Sequence, residues 1–416
     1  MRKKFVCALL FLQVIFPIVA QSDTSSVKDS LQPRISFAGT PIFAYDNDVG
    51  LRYGAVVNYF KYNDKRSKKF DENLFVRFSN STKKSLQFQS LYETNNLLKQ
   101  AKVIIEASYL NDKAYDFFGF NGDFINYHAS LSPNRFYKIN RTHFRLKFDY
   151  QRYINGPSFR LLAGLTFNKI GIDQQGDTTN LYSIYQSLNE IPLTELNGGI
   201  IGTAKLGIVF DSRSNQCYCK NGKWLESFVV YAPATKNSTQ FSKFVLTFRT
   251  FDTLAHSSFV LTTRTSLQVK LHGEIPTYFK SNYFDSRQNI DGLGGAFTLR
   301  GLSRNRIVSD GFALVNLELR KLLTHFSIKK TQIDFNLSVF SDNGYIIQAH
   351  QSDFASASNL YPLVFNKKFN RFYASAGIGF YAVLNENNVI SFNLGTPINQ
   401  IEIKQTAFYV GSSFIF

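Results

Sequence analysis

Cysteine, methionine and tryptophan are nearly missing from this chain: three, one and one among 416 residues. Cys7 lies in the first twenty residues, and the remaining pair, Cys217 and Cys219, is too little for a disulfide framework. Long apolar runs are missing as well. Beyond residue 20 no segment reaches the ~18 uninterrupted apolar residues of a membrane-spanning helix, which excludes helical spans. Acidic residues are scarce beside basic ones, 30 against 47, for a formal net charge of +17. No compact basic recognition module accompanies that excess, so nucleic-acid binding is not expected.

The residues of common active sites are absent too. The six histidines, at 128, 143, 256, 272, 325 and 350, show no H-E-x-x-H and no paired metal spacing, and no G-x-S-x-G occurs. Neither a metal nor a cofactor is expected, and the chain is read as non-enzymatic. Cys217-Tyr218-Cys219 alone is a weak metal signal and is read as part of a turn, with the pair free or oxidised.

What is present begins with a leader. Arg2, Lys3 and Lys4 precede the apolar run FVCALLFLQVIFPIVA, which ends at Ala20 before polar QSDTSS. This is the charged, apolar and small-residue order of a secretory signal peptide, expected over residues 1–20. Its removal would lower the formal charge from +17 to +14. Residues 21–34 then read as a short periplasmic lead-in, and 35–416 as one domain.

That domain is rich in aromatics, with 42 Phe and 22 Tyr, yet its mean hydropathy is slightly negative. Alternation reconciles the two. Phe144, Leu146, Phe148 and Tyr150 share one face, while His143, Arg145, Lys147, Asp149 and Gln151 share the other. Phe259, Leu261, Leu267, Val269 and Leu271 likewise oppose Thr262, Arg264, Ser266, Gln268 and Lys270. Such period-two patterns are strands. Sixteen segments qualify, near 51–61, 72–80, 83–93, 101–112, 124–132, 138–153, 157–171, 200–212, 223–232, 241–252, 258–272, 311–321, 331–342, 370–384, 387–395 and 405–416. Short connections (80–82, 385–387) and long ones (273–310, 343–369) join them. An even strand number, an apolar outer face and a charged inner face predict an all-β fold, a transmembrane antiparallel β-barrel of 16 strands. The last segment aligns Phe408, Val410, Phe414 and Phe416 on one face and is read as a C-terminal assembly signal.

Cations expected on the inner faces include Arg145, Lys147, Arg160, Arg249, Arg264 and Lys270. They fit either an anion-preferring pore or internal salt bridges to Asp149, Asp334, Glu318 and an inward-folded loop.

Within GGAFTLRGLSRN, residues 294–305, Arg300 stands in an apolar run flanked by glycines. Period two turns Asn316, Glu318 and Arg320 inward on the following strand, and Phe340, Asp342 and Gly344 inward on the next. A guanidinium is a fork of donors matched to carboxylate oxygens. The reading is an inward-folded external loop before strand 12, with Arg300 bonded to Asp342, Glu318 as second acceptor and Gly301 permitting a tight turn.

These motifs together resemble the bacterial surface antigen superfamily, the BamA/TamA-like outer-membrane barrels. Leu299-Arg300-Gly301-Leu302 is similar to its V-R-G-F/Y loop motif, without the final aromatic; Phe340, Asp342 and Gly344 match F-x-D-x-G. Gly311, Glu318 and Arg320 match G…E-x-R. LGIVFDSRSN with Gly222 resembles D-x-R-D-N…G, with Ser214 for the usual Asp and CYCK for F-P-T. FFGFNG at 117–122 is similar to a Y-G-x-G-N element.

The resemblance covers residues 35–416 and implies a short member lacking the periplasmic POTRA repeats. It implies a bacterial outer-membrane location and a role in membrane biogenesis, assisting insertion or translocation of a protein or lipid through a closure between first and last strands that opens sideways. A passive transporter or porin, or an accessory subunit of a larger complex, are the alternatives. Expected partners are outer-membrane lipids, lipopolysaccharide touched by basic loops such as KYNDKRSKK at 61–69, and envelope proteins as partners or clients.

Overall fold

The computed structural model describes residues 34–412, apart from 47–48, 64–69, 129, 133–134, 174–179, 217, 236–237, 255–257, 288, 329–330, 386–387 and 400–405. The expected signal peptide, the lead-in through residue 33, Cys217, Phe414 and Phe416 lie outside the described residues.

The strands are β1 (Arg34–Asp46), β2 (Gly50–Tyr62), β3 (Glu72–Ser81), β4 (Ser85–Leu98), β5 (Ala101–Asp116), β6 (Lys138–Asn155), β7 (Phe159–Asp173) and β8 (Gly198–Asp211). They continue as β9 (Gly222–Ala232), β10 (Phe241–Thr253), β11 (Phe259–Gly273), β12 (Gly311–Ile328), β13 (Thr331–Gln348), β14 (Phe372–Leu384), β15 (Asn388–Pro397) and β16 (Ala407–Ser412). Each pairs antiparallel with its neighbours in the chain, and β1 meets β16 to close the barrel. Closure removes the free sheet edges that an open sheet would leave unpaired.

Alternation sets the two surfaces. On β7 Leu161, Leu165 and Phe167 are exposed, whereas Arg160, Leu162 and Asn168 are buried. Leu165 and Leu206 reach 63% and 70% exposure on the outside. Apolar surface of this extent is stable only where the surroundings are not water. No helix among the described residues is long and apolar enough to cross a membrane.

Register shifts interrupt the ladders at a few places, among them Ser242/Lys243, Leu322/Thr324 and Asp112/Tyr115. β1 and β2 are in register along all of Arg34–Asp46, but β1 and β16 share only Tyr45↔Val410 and Asp46↔Tyr409 among the described residues.

Antiparallel order puts alternate connections on opposite ends. One end carries 117–137, 174–197, 274–310 and 349–371 and is the long-loop end; the other carries 99–100, 156–158 and 212–221 and is the short-turn end. Over the long-loop end Phe117, Phe120, Tyr182, Tyr185 and Phe365 pack as one aromatic cluster. Two short helices brace it, α1 (Leu181–Ser187) and α2 (Phe354–Leu360). Their first turns are capped by the Asn180 and Asp353 side chains, which accept from Ser183 N and Ser356 N.

Two strand expectations are corrected. The described residues of 124–132 contain no strand: Gly122–Phe124 forms a 3-10 turn and Ile125 only an isolated bridge to Phe365. Phe124 and Ile125 are apolar because the aromatic cluster buries them, not because a ladder does. The strand that restores sixteen is β1, where Gly39 and Pro41 interrupt the apolar pattern and Pro41 has no N–H for a ladder. The two errors offset in number but invert the ends of what lies between. The 63–71 connection falls on the short-turn end and 82–84 on the long-loop end. The basic run at 61–69 is therefore not on a long-loop-end connection, and its residues 64–69 lie outside the described residues.

Candidate functional site

The connection after β11 turns into the barrel. Asn282–Tyr283 pairs with Ile290–Asp291, and a bridge between Leu293 and Ile307 closes the neck of a tip formed by residues 294–306. Inside the tip Thr298 Oγ1 accepts from Gly294 N (2.7 Å) and donates to Gly294 O (2.8 Å). Leu299 and Leu302 are fully buried against Leu293, Phe312, Leu314, Ile346 and Tyr373. Burying each leucine contributes about 1.5–3 kcal/mol. The apolar residues around Arg300 thus press the tip onto the inner wall of β12–β14.

Arg300 sits between two acids. Its Nε and Nη2 donate to Asp342 Oδ2 and Oδ1 at 2.8 and 2.9 Å, and its backbone N donates to Oδ2 at 3.0 Å. Nη1 donates to Glu318 Oε2 at 2.8 Å, and Cζ lies 3.4 Å from the centroid of the Phe340 ring. Register explains the convergence: Asn316 is directly opposite Asp342, and Glu318 opposite Phe340, so both acids and the ring share one inner patch. Asp342 also accepts from Asn316 Nδ2 (2.7 Å), while Glu318 accepts from Arg320 Nε and Tyr381 Oη, each at 2.8 Å. All three charged groups are buried, so the loss of Arg300 strands Asp342 in low dielectric, whereas Glu318 keeps Arg320.

The turn after the arginine is as tight as a backbone allows. Gly301 has φ 103°, and a Cβ there would stand 2.7 Å from Thr396 N. Gly395 mirrors it, since a Cβ on that residue would stand 2.7 Å from the Arg300 carbonyl. Gly301 N donates to Tyr409 Oη at 3.1 Å, tying the tip to β16, the closing strand. Gly344 lies beneath the buried Leu299. Phe408 and Val410 are on the outer face of β16.

The structure brings Arg300, Gly301, Glu318, Arg320, Phe340, Asp342 and Gly344 into one cluster. Asn393, Gly395, Tyr381 and Tyr409 join them without a sequence signal beyond period two, which gives a side chain's face but not its partner across the lumen. His143 faces inward and approaches Asn168 Oδ1 at 3.0 Å.

The other inner cations have partners, in part on the inward loop as expected, but not Asp149, Asp334 or Glu318. Lys147 pairs with Glu106 (2.9 Å), Arg160 stands 3.6 Å from Asp211, Lys270 pairs with Asp310 (2.6 Å) and Arg249 with Asp285. Arg145 bonds Asn282 (2.9 Å), and Arg264 bonds Asn316 (2.8 Å). Asp149 instead takes Lys205, and Asp334 takes Lys220 and His325. Much of the compensation comes from the inward loop, through Asn282, Asp285 and Asp310, residues that alternation in the strands could not single out. Burial would raise the Asp310 carboxyl, but Lys280 and Lys270 hold it below the usual range.

The lumen is entered from the short-turn end too. Arg287 of the inward loop donates to Gln216 O in the 212–221 turn (3.1 Å), and Tyr218 of that turn donates to Asn336 of β13 (2.8 Å). Burial pushes the Tyr218 hydroxyl up to about 12, so it remains a neutral donor. Among the described residues no group of His, Cys, Asp and Glu could hold a metal ion.

No family model and no curated protein matches the chain. Among solved structures it is similar to BamA from Haemophilus ducreyi lacking POTRA domains 1–3, with a TM-score of 0.56 and 16% identity over 92% of this chain and 70% of that one. It is also similar to CdiB from Escherichia coli, with a TM-score of 0.55 and 12% identity over 90% of this chain and 63% of that one. CdiB from Acinetobacter baumannii gives a TM-score of 0.51 and 13% identity over 91% and 60%. The chain thus spans less than two thirds of either CdiB chain, and what it shares with all three is the fold, a sixteen-stranded closed barrel.

Proposed function

We propose that this chain is an exported outer-membrane barrel of the bacterial surface antigen superfamily that assists insertion or translocation of a protein or lipid, without catalysis. The supporting observation is that the barrel's own loop folds into the lumen and is fastened by Arg300 to Asp342 and Glu318. A lumen so occupied leaves the wall as the route for a large passenger. First and last strands meet where β1 pairs with β16, with Tyr45↔Val410 and Asp46↔Tyr409 as registered pairs among the described residues. An unpaired edge in lipid is costly, so an opened join would draw a passenger strand to pair with it.

Partners on this reading are outer-membrane lipids around the apolar band, lipopolysaccharide at the long-loop end, and envelope proteins as clients or companions.

The test is depletion followed by a census of outer-membrane proteins and lipids. The census should change and be restored by the parent chain. A chain carrying Tyr45→Cys and Val410→Cys should restore it only under reductant, because these residues face each other across the join. An unchanged census after depletion would remove the biogenesis role, and a steady large conductance would favour a porin.

A further inference from the structure

The short-turn end of the lumen carries a buried arginine whose Nε–Nη2 edge makes no hydrogen bond. Arg300 and Arg213 both turn the Nε–Nη2 edge of the guanidinium onto a carboxylate. Arg213 does so on Asp211, at 2.9 Å to Oδ1 and 3.1 Å to Oδ2. Arg160 on β7 is equally buried, at 3% exposure, yet neither its Nε nor its Nη2 has a hydrogen-bond partner. Its nearest acid is that same Asp211, 3.6 Å from Nη2 and already gripped on both oxygens by Arg213.

The surroundings repeat the pattern of donors without acceptors. Trp224 on β9 is buried with its Nε1 unbonded. The Cζ atoms of Arg160, Arg213 and Arg287 stand 5.9, 4.5 and 5.9 Å from its ring centroid. Gln151 on β6 is fully buried with both side-chain polar atoms unbonded, and it lies opposite Leu162, two residues along β7 from Arg160. Lys102, opposite Gln151 on β5, is already paired with Glu93. Arg160 and Arg213 share the one acid Asp211, and the Nε–Nη2 edge of Arg160 is the planar fork that takes two oxygens of one anion.

We propose that Arg160, Trp224 and Gln151 form an oxyanion site that takes a carboxylate or phosphate group entering from the short-turn end. Two ligand oxygens lie on the Nε–Nη2 edge of Arg160, and Trp224 Nε1 and Gln151 Nε2 donate to the same group. Arg213 keeps Asp211 neutralised, so that acid does not repel the ligand.

Trp224 is the chain's only tryptophan, so indole emission reports this site alone. The full chain in detergent micelles is titrated with sodium phosphate or sodium acetate, against sodium chloride at matched ionic strength. A saturable change with phosphate, acetate or both, and none with chloride, supports the site, and the anion that saturates identifies the group it takes. Arg160→Gln should weaken that response roughly tenfold or more, the share of a charged fork. Arg160→Lys, which keeps the charge but not the fork, should also weaken it, and it replaces the Gln variant if that one loses folded mobility on semi-native gels. No saturable change beyond chloride, or an undiminished response in a folded Arg160 variant, overturns the proposal.

Discussion

Arg213 and Arg300 grip their carboxylates with the same guanidinium edge, at nearly the same distances, and both are buried. They differ in how far the chain runs between the partners: two residues from Arg213 to Asp211, forty-two from Arg300 to Asp342. The first pair can form inside one turn before any barrel exists. The second needs the inward loop, β12 and β13 to be in place together, and through Gly301 and Tyr409 it also reaches the closing strand. A local clamp shapes a turn, whereas a distant one couples a loop to closure, because only the assembled wall brings its acid within reach.

That contrast can be broken at its strong side first. Arg300→Ala strands the buried Asp342 carboxylate, while Glu318 keeps Arg320, and should cost about 3–5 kcal/mol, read as lost heat resistance and increased protease sensitivity on semi-native gels. Asp342→Ala should act similarly, and the double variant should cost less than the sum, since both remove one interaction. Gly301→Ala should come next, at roughly 1–3 kcal/mol, because a Cβ there meets the Thr396 backbone at a positive φ. Arg213→Ala should cost less than Arg300→Ala, about 1–3 kcal/mol, because Arg160 remains 3.6 Å from Asp211. Equal losses at 213 and 300 would show that distance along the chain is not what separates the two clamps. Tyr381→Phe removes one donor to Glu318 while both arginines stay, and should cost about 1 kcal/mol in the same assay.

The smallest effect concerns acid. Asp310 is a depressed carboxyl held by Lys280 and Lys270, so its contribution is complete above the unfolded carboxyl's range and is lost only as pH falls through the lower folded value. Heat resistance should therefore be flat across neutral pH and decline in strong acid, below about pH 4. Asp310→Asn should remove this component of the decline; an identical acid profile in that variant would discard the coupling.

How much could be read in advance depends on the kind of signal. Over 312–321 of β12 and 333–346 of β13 alternation is unbroken, so Glu318, Phe340 and Asp342 are legible as inward residues beside a loop arginine. On β1 the pattern is interrupted by Gly39 and Pro41, which hides the strand from a period-two reading. At 124–132 apolar content came from burial beneath the aromatic cluster and imitated a strand. Both failures are of one kind, since composition registers burial without saying whether a sheet or a loop cap provides it.

Order along the chain fixed the all-β class, the two faces of most strands, and the residue types able to clamp a loop, because side chains on a strand alternate whatever surrounds it. Closure decided the rest: which lysine meets which aspartate, how near Gly301 comes to Gly395, and why Arg213 rather than Arg160 grips both oxygens of Asp211. Those pairings depend on the barrel's curvature and on the path of a loop across its interior, and these arise only when residues hundreds of positions apart are brought to one point.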